Sequence, residues 1–168
     1  PPPSSLGYVA KIMNVLKKSP VPSPASGLNT PTVCFIRLVH QLASDSRCME
    51  QLKRTPSAEC LLRASRPVHV DTAFVLETLL KVLKAGGSVL VGRAMEYHGG
   101  DMVSFLIGIL EDSEDLTVLR DAPAAKVRAT LLASLSLLSL YIYFTRALSL
   151  SLSLSLSLVR YHTNAAFL

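Results

Sequence analysis

Proline and glycine cut this sequence into short apolar pieces, and that punctuation restricts the fold more than any other feature. Pro20, Pro22, Pro24, Gly27 and Pro31 crowd one stretch, Pro56 and Pro67 bracket another, Gly86-Gly87 and Gly99-Gly100 end two more, and Pro123 opens the last. Proline fixes φ and removes a backbone donor, and glycine weakens element interiors, so regular structure has to fit between these marks. Between them the apolar residues recur at the three-and-four spacing of a helix. Trp is absent and aromatics are only 6%, so the core has to be built from Leu, Val, Ile, Ala and Met, which suits thin helical layers better than a β-sandwich. The expected class is all-α.

Segment by segment, Tyr8, Val9, Ile12, Met13 and Leu16 share one helical face, closed by Lys17 and Lys18 where cations suit a C-terminus. Residues 19–31 are expected to form a flexible Pro-rich linker. Thr30 as N-cap and Pro31 at the first helical position predict a second helix through Val33, Ile36, Leu38, Val39 and Leu42, ending near Ser44. Cys48, Met49 and Leu52 predict a short third helix, and Pro56-Ser57 opens a fourth around Leu61 and Leu62 that Pro67 closes. Asp71 is placed to cap a longer helix, Phe74 to Leu83, which is apolar on most of its circumference and therefore central. Ser88 caps Val89 to Tyr97, Asp101 caps Met102 to Leu110 ahead of an acidic loop from Glu111 to Asp115, and Asp121-Ala122-Pro123 starts one more helix.

A weak internal repeat links these pieces. Val9, Ile12, Met13 and Leu16 align with Val103, Leu106, Ile107 and Leu110, and more loosely with Ala58, Leu61, Leu62 and Ser65. The steps from Val9 to Ala58 and on to Val103 are 49 and 45 residues, near the roughly 40–47 of armadillo or HEAT units. Residues 95–106 also resemble an armadillo junction, where glycine lets the chain turn before a helix that lines a groove. An armadillo/HEAT-like helical solenoid fragment over residues 1–128 is the expected architecture.

The charge pattern and the candidate reactive residues point away from catalysis. Lys and Arg against Asp and Glu number nine to three over residues 1–70, four to nine over 71–121 and four to none over 122–168. Opposed blocks argue against a uniform nucleic-acid surface and fit solvated helix faces or head-to-tail packing. Cys34, Cys48 and Cys60 lack the C-x-x-C pairing of a zinc site, and their apolar settings predict buried structural thiols in a reducing, cytosolic environment. His40, His69, His98 and His162 have no i, i+4 partner for a metal. Glu111, Asp112, Glu114 and Asp115 lack the alternating spacing and central glycine of a calcium loop, and neither glycine pair is followed by the Gly-Lys-Ser/Thr of a phosphate loop. No catalytic, cofactor-binding or metal residue, no cofactor and no enzyme activity are expected.

Three strings carry a family resemblance: Gly7-Tyr8-Val9-x-Lys11-Ile12-Met13, Ile36-Arg37-Leu38-Val39-His40-Gln41-Leu42-Ala43, and Asp121-Ala122-Pro123-Ala124-Ala125-Lys126-Val127-Arg128-Ala129. Leu6 to Arg128 resembles the C-terminal armadillo-like region of the large endosomal DnaJ subfamily C proteins of receptor-mediated endocytosis, whose plant relatives act in gravitropism and vacuolar sorting. The resemblance implies a protein-interaction scaffold at the cytosolic face of early endosomes, acting in endosome organisation and cargo sorting with partners from the sorting machinery. Membrane association would be peripheral, through the parent protein, and an Hsc70-type chaperone would be engaged only through a J domain this sequence does not contain. His69-Val70-Asp71 lacks the proline of the His-Pro-Asp loop.

Residues 129–168 form a hydrophobic tail expected to lie outside the native fold, with alternating Leu and Ser from Leu148 to Leu158. Ala129 to Thr145 is an uncharged run of 17 residues, at the lower edge of the roughly 17–25 needed to span a bilayer, and Arg146 interrupts it. A small tail-anchored membrane protein is thus the alternative function. A run of alternating C and T nucleotides also translates as repeating Leu-Ser, so a translated intron or misjoined exon is a further expectation. As polypeptide, period-two leucine predicts a strand with one sticky face.

Overall fold

The computed structural model describes residues 6–23, 26–97, 102–115 and 122–165. The regular elements among them are α-helices: α1 (Leu6–Lys18), α2 (Thr30–Leu42), α3 (Ser46–Leu52), α4 (Ser57–Ala64), α5 (Thr72–Gly86), α6 (Ser88–Tyr97), α7 (Met102–Asp115) and α8 (Ala122–Ala165). The all-α class expected from the apolar spacing is what the chain adopts. The Gly99-Gly100 stop and the Asp101 and Asp121 caps lie outside the described residues.

The most apolar helix is the central one, as its sequence requires. Ten residues of α5, including Val75, Leu76, Leu79, Val82 and Leu83, are buried, and α2, α3, α4, α6 and α8 pack around it. Each large aliphatic side chain so enclosed contributes about 2 kcal/mol from burial alone. α1 lays Val9, Met13 and Leu16 onto α2, α3 and α4, and α4 carries Ala58, Cys60, Leu61 and Leu62 into the same core.

Helix ends are secured by side chains that local spacing does not reveal. Arg63 Nη2 donates to the carbonyls of Leu16 (3.0 Å) and Ser19 (3.1 Å) at the end of α1. Arg93 Nη1 likewise donates to Lys53 (2.6 Å) and Thr55 (3.3 Å) beyond α3. The last carbonyls of a helix have no partner within it, and a cation suits that end of the dipole. Asp45 caps α3, its Oδ1 accepting from the N–H groups of Arg47 (2.8 Å) and Cys48 (2.9 Å). The Cys48 amide is the main reason that the Asp45 carboxyl titrates below its ordinary range.

Several local expectations are corrected. Asn29, one residue before Thr30, is the N-cap of α2, with Oδ1 accepting from Thr32 N at 2.9 Å. Asp71 stands at the start of α5 but makes no capping bond; its Oδ2 instead accepts from Leu28 N at 3.1 Å, 43 residues upstream. The Pro-rich connection is therefore tied to the body rather than a free linker, with Pro22, Gly27 and Leu28 buried and a Ser23–Gly27 bridge closing the turn. The acidic residues 111–115 continue α7 instead of forming a loop. Cys34 is exposed and Cys48 half-buried, leaving Cys60 as the buried thiol; the period of α2 turns Ile36 and Val39 inward and Cys34 and Leu38 outward.

The tail differs most from its expectation. The Leu-Ser tract is helix, not strand, and is continuous with the segment from Ala122. Past residue 128, Leu131, Leu135, Leu138 and Ile142 join the same core as α1 to α7, and the Tyr141 hydroxyl donates to Leu83 O at 2.9 Å. The packed body therefore runs to about Ile142.

Candidate interaction surface

α7 and α8 meet along an apolar groove. Its walls are Leu106 and Ile107 from α7 and Leu132, Leu135, Ser139 and Leu140 from α8, around a cleft of about 410 Å³. On α8 these positions recur at three and four, so they share the face beside the one that packs on α5.

The rotation of α7 that opens this groove has an identifiable cause. Phe105, Gly108 and Asp112 lie on one face of α7 and all meet Arg66. The guanidinium sits 5.7 Å from the Phe105 ring centroid and donates to Asp112 Oδ2 at 2.8 Å. A Cβ on Gly108 would stand 2.9 Å from Arg66 Nη2, so a side chain there would push the guanidinium aside. Turning that face to Arg66 buries Phe105, Leu106 and Ile109 and leaves Ile107 48% exposed. In the repeat alignment Ile107 matches the buried Met13 and Leu62, and here the structure departs from the pattern.

From Leu137 onward the outer face of α8 is unusually apolar. Leu137, Leu140, Tyr143 and Phe144 are 53–77% exposed, and Leu148, Leu150, Leu152, Leu154 and Leu156 are 46–68% exposed. Scattered exposed leucines are ordinary, but nine large apolar side chains exposed along one helix are not. The serines between them do not make this segment polar. The hydroxyls of Ser151, Ser153, Ser155 and Ser157 each donate to the carbonyl three residues back, at 2.8–2.9 Å.

The residues weighed for chemistry fall elsewhere and do not converge. His69 is buried; its Nε2 donates to Ala64 O at 2.8 Å while Nδ1 accepts from Asp71 N at 3.1 Å, which defines a neutral tautomer. Burial lowers its pKa further. His40 lies at the α2–α5 surface, tilted against Phe74 with Glu77 Oε1 3.8 Å away. His98 lies outside the described residues, and for His162 only the helical backbone is described. Burial raises the Cys60 thiol; burial, with Asp45 beside it, raises Cys48. Neither is held as a reactive thiolate. Among the described residues no three of His, Cys, Asp and Glu stand close enough to hold a metal ion.

The sequence held a signal for part of this surface, because the uncharged run and the Leu-Ser tract were visible as composition. It held none for the groove, whose opening depends on a contact between Arg66 and α7 across 46 residues. The chain matches no family model, no curated protein and no solved structure.

Proposed function

We propose that this chain is a non-catalytic protein-interaction scaffold, an armadillo/HEAT-like piece of an endosomal DnaJ-type co-chaperone acting in receptor-mediated endocytosis and cargo sorting. The observation that carries the stacked-repeat part is the pair of arginine clamps. Arg63 holds the end of α1 across 47 residues and Arg93 the end of α3 across 40. Such nearest-neighbour contacts at roughly the 40–47-residue repeat length are what stacked helical units use. The endosomal part rests on the resemblance of Gly7 to Met13, Ile36 to Ala43 and Asp121 to Ala129; of these, the first lies on α1 and the second on α2 and its C-cap. His69 and Asp71 are engaged within the body at Ala64 and Leu28, so chaperone stimulation belongs to another part of such a protein.

Long-read sequencing of spliced transcripts tests this directly. Transcripts joining this coding segment to an upstream J domain support the reading; a complete transcript with its own start codon and no J domain refutes it.

A second reading, a small tail-anchored membrane protein, is favoured by one feature: Leu131–Ser157 of α8 is long and apolar enough to cross a bilayer. It predicts that the full chain resists alkaline extraction from membranes, whereas the scaffold reading predicts release.

A further inference from the structure

The free end of α8 presents exposed leucine on two opposite sides. Successive leucines two residues apart step by about 200° on a helix, so Leu148, Leu152 and Leu156 form one stripe and Leu150 and Leu154 another on the opposite side, with the serines between them. Every hydroxyl described between Ser151 and Ser157 is bonded to its own helix. The backbone and these four hydroxyls are thus satisfied internally, which favours entry into hydrocarbon. Residues 122–168 carry four cations and no acid, which complements an anionic lipid surface.

A simple crossing fits poorly. Spanning with Leu131–Ser157 would place Arg146 two residues from the midpoint, at a cost of roughly 2.5–3.5 kcal/mol on insertion scales. It would also strip Leu131, Leu135, Leu138 and Ile142 from the core and remove α8 from its packing on α5. With α8 kept in place, the uncharged stretch between Arg146 and Arg160 is 13 residues, about 20 Å of helix against a hydrocarbon core of about 30 Å.

We infer that the docked chain binds an anionic membrane from one side, sinking Ala147 to Val159 of α8 into a single leaflet with Arg146 and Arg160 both at the headgroups. The body from α1 to about Ile142 stays folded at the surface. The inference holds for either source of the chain, scaffold fragment or independent protein, and it opposes the spanning arrangement.

The absence of tryptophan supplies a clean probe. Phe144→Trp and Leu152→Trp replace side chains that are 62% and 61% exposed, so neither disturbs the body. Each full-length variant is mixed with phosphatidylcholine vesicles, with or without phosphatidylserine, containing lipids brominated at shallow or deep acyl positions. The one-leaflet arrangement predicts a blue shift that requires phosphatidylserine, and an indole that is quenched more deeply in the Leu152→Trp variant than in the Phe144→Trp variant. A spanning helix reverses the order, since residue 144 is its midpoint, and that result overturns the inference. So does a blue shift that grows with protein concentration and ignores vesicles, which would identify a second copy of the chain as the occupant. Absence of any shift on adding vesicles also overturns it.

Discussion

Leu138→Ala tests whether α8 is part of the body or an appendage. Leu138 is fully buried among the core residues shared by α8 and α5, whereas Leu140, two residues on, is 67% exposed. Truncating a buried leucine removes its transfer free energy and leaves a cavity, together about 3 kcal/mol in a site that collapses only partly. The same change at Leu140 stays within about 0.5 kcal/mol, because a surface position loses little burial. For a chain of this size about 3 kcal/mol corresponds to a fall of roughly 6–12 °C in Tm. Urea unfolding followed by far-UV circular dichroism, with both variants in the same buffer, measures the difference. Tyr141→Phe adds a polar check at the same contact, costing about 1 kcal/mol through the lost bond to Leu83 O. If Leu138→Ala and Leu140→Ala agree within about 0.5 kcal/mol, α8 does not cover α5 in solution and the reasoning fails.

Gly27 has φ 71°, and a Cβ there would come within 2.7 Å of Asp71 Oδ2 and 2.8 Å of Val70 Cγ2. Gly27→Ala is therefore expected to break the Asp71–Leu28 tether, costing about 1–3 kcal/mol and speeding proteolysis within residues 20–29, while Gly7→Ala, with open space around it, does neither. Arg93→Met keeps the aliphatic stem but leaves the Lys53 and Thr55 carbonyls without their donor; a loss of about 1–2 kcal/mol and faster amide exchange in α3 are expected. His69, held below its ordinary pKa of 6.5 by burial, takes up its proton first in the unfolded chain. Its stabilising effect is complete above that value and lost as pH falls through it, by up to about 1.4 kcal/mol per pH unit. His69→Gln should remove this part of the slope, and a wild-type slope that survives the substitution unchanged counts against the neutral buried imidazole.

What the sequence disclosed and what it concealed divide along physical range. α5 could be read because its apolar residues lie within fifteen positions of one another and enclose the helix on most sides. The N-cap of α2 was missed by one residue, since both Asn29 and Thr30 can accept a backbone proton and proline is tolerated at the first or second helical position. Asp71 has the composition of a cap, yet its carboxylate serves Leu28, and no local pattern encodes a bond across 43 residues. The same holds for Arg63, Arg66 and Arg93, which a charge count treats as solvated cations but which secure helix ends and set the rotation of α7. The groove depends on that rotation and so was beyond local reading, whereas the apolar run that continues from it was not.

The Leu-Ser tract shows why a period alone does not settle secondary structure. Alternation of two favours a strand only when a neighbouring strand can take the backbone hydrogen bonds, and among the described residues the nearest approach to one is an isolated bridge far upstream. A helix already nucleated through Leu131 to Ile142 can propagate at one bond per residue, and leucine is a strong helix former. Serine normally weakens a helix by competing for backbone groups; here its hydroxyls bond back to the carbonyls three residues earlier and remain within the helix. Folding the tract this way changes its hazard. A strand would gather every leucine on one face and invite edge-to-edge pairing, whereas the helix divides them between two opposite stripes with serine between them. What remains is a rod of exposed leucine and serine, continuous with a body that its own first half helps to hold together.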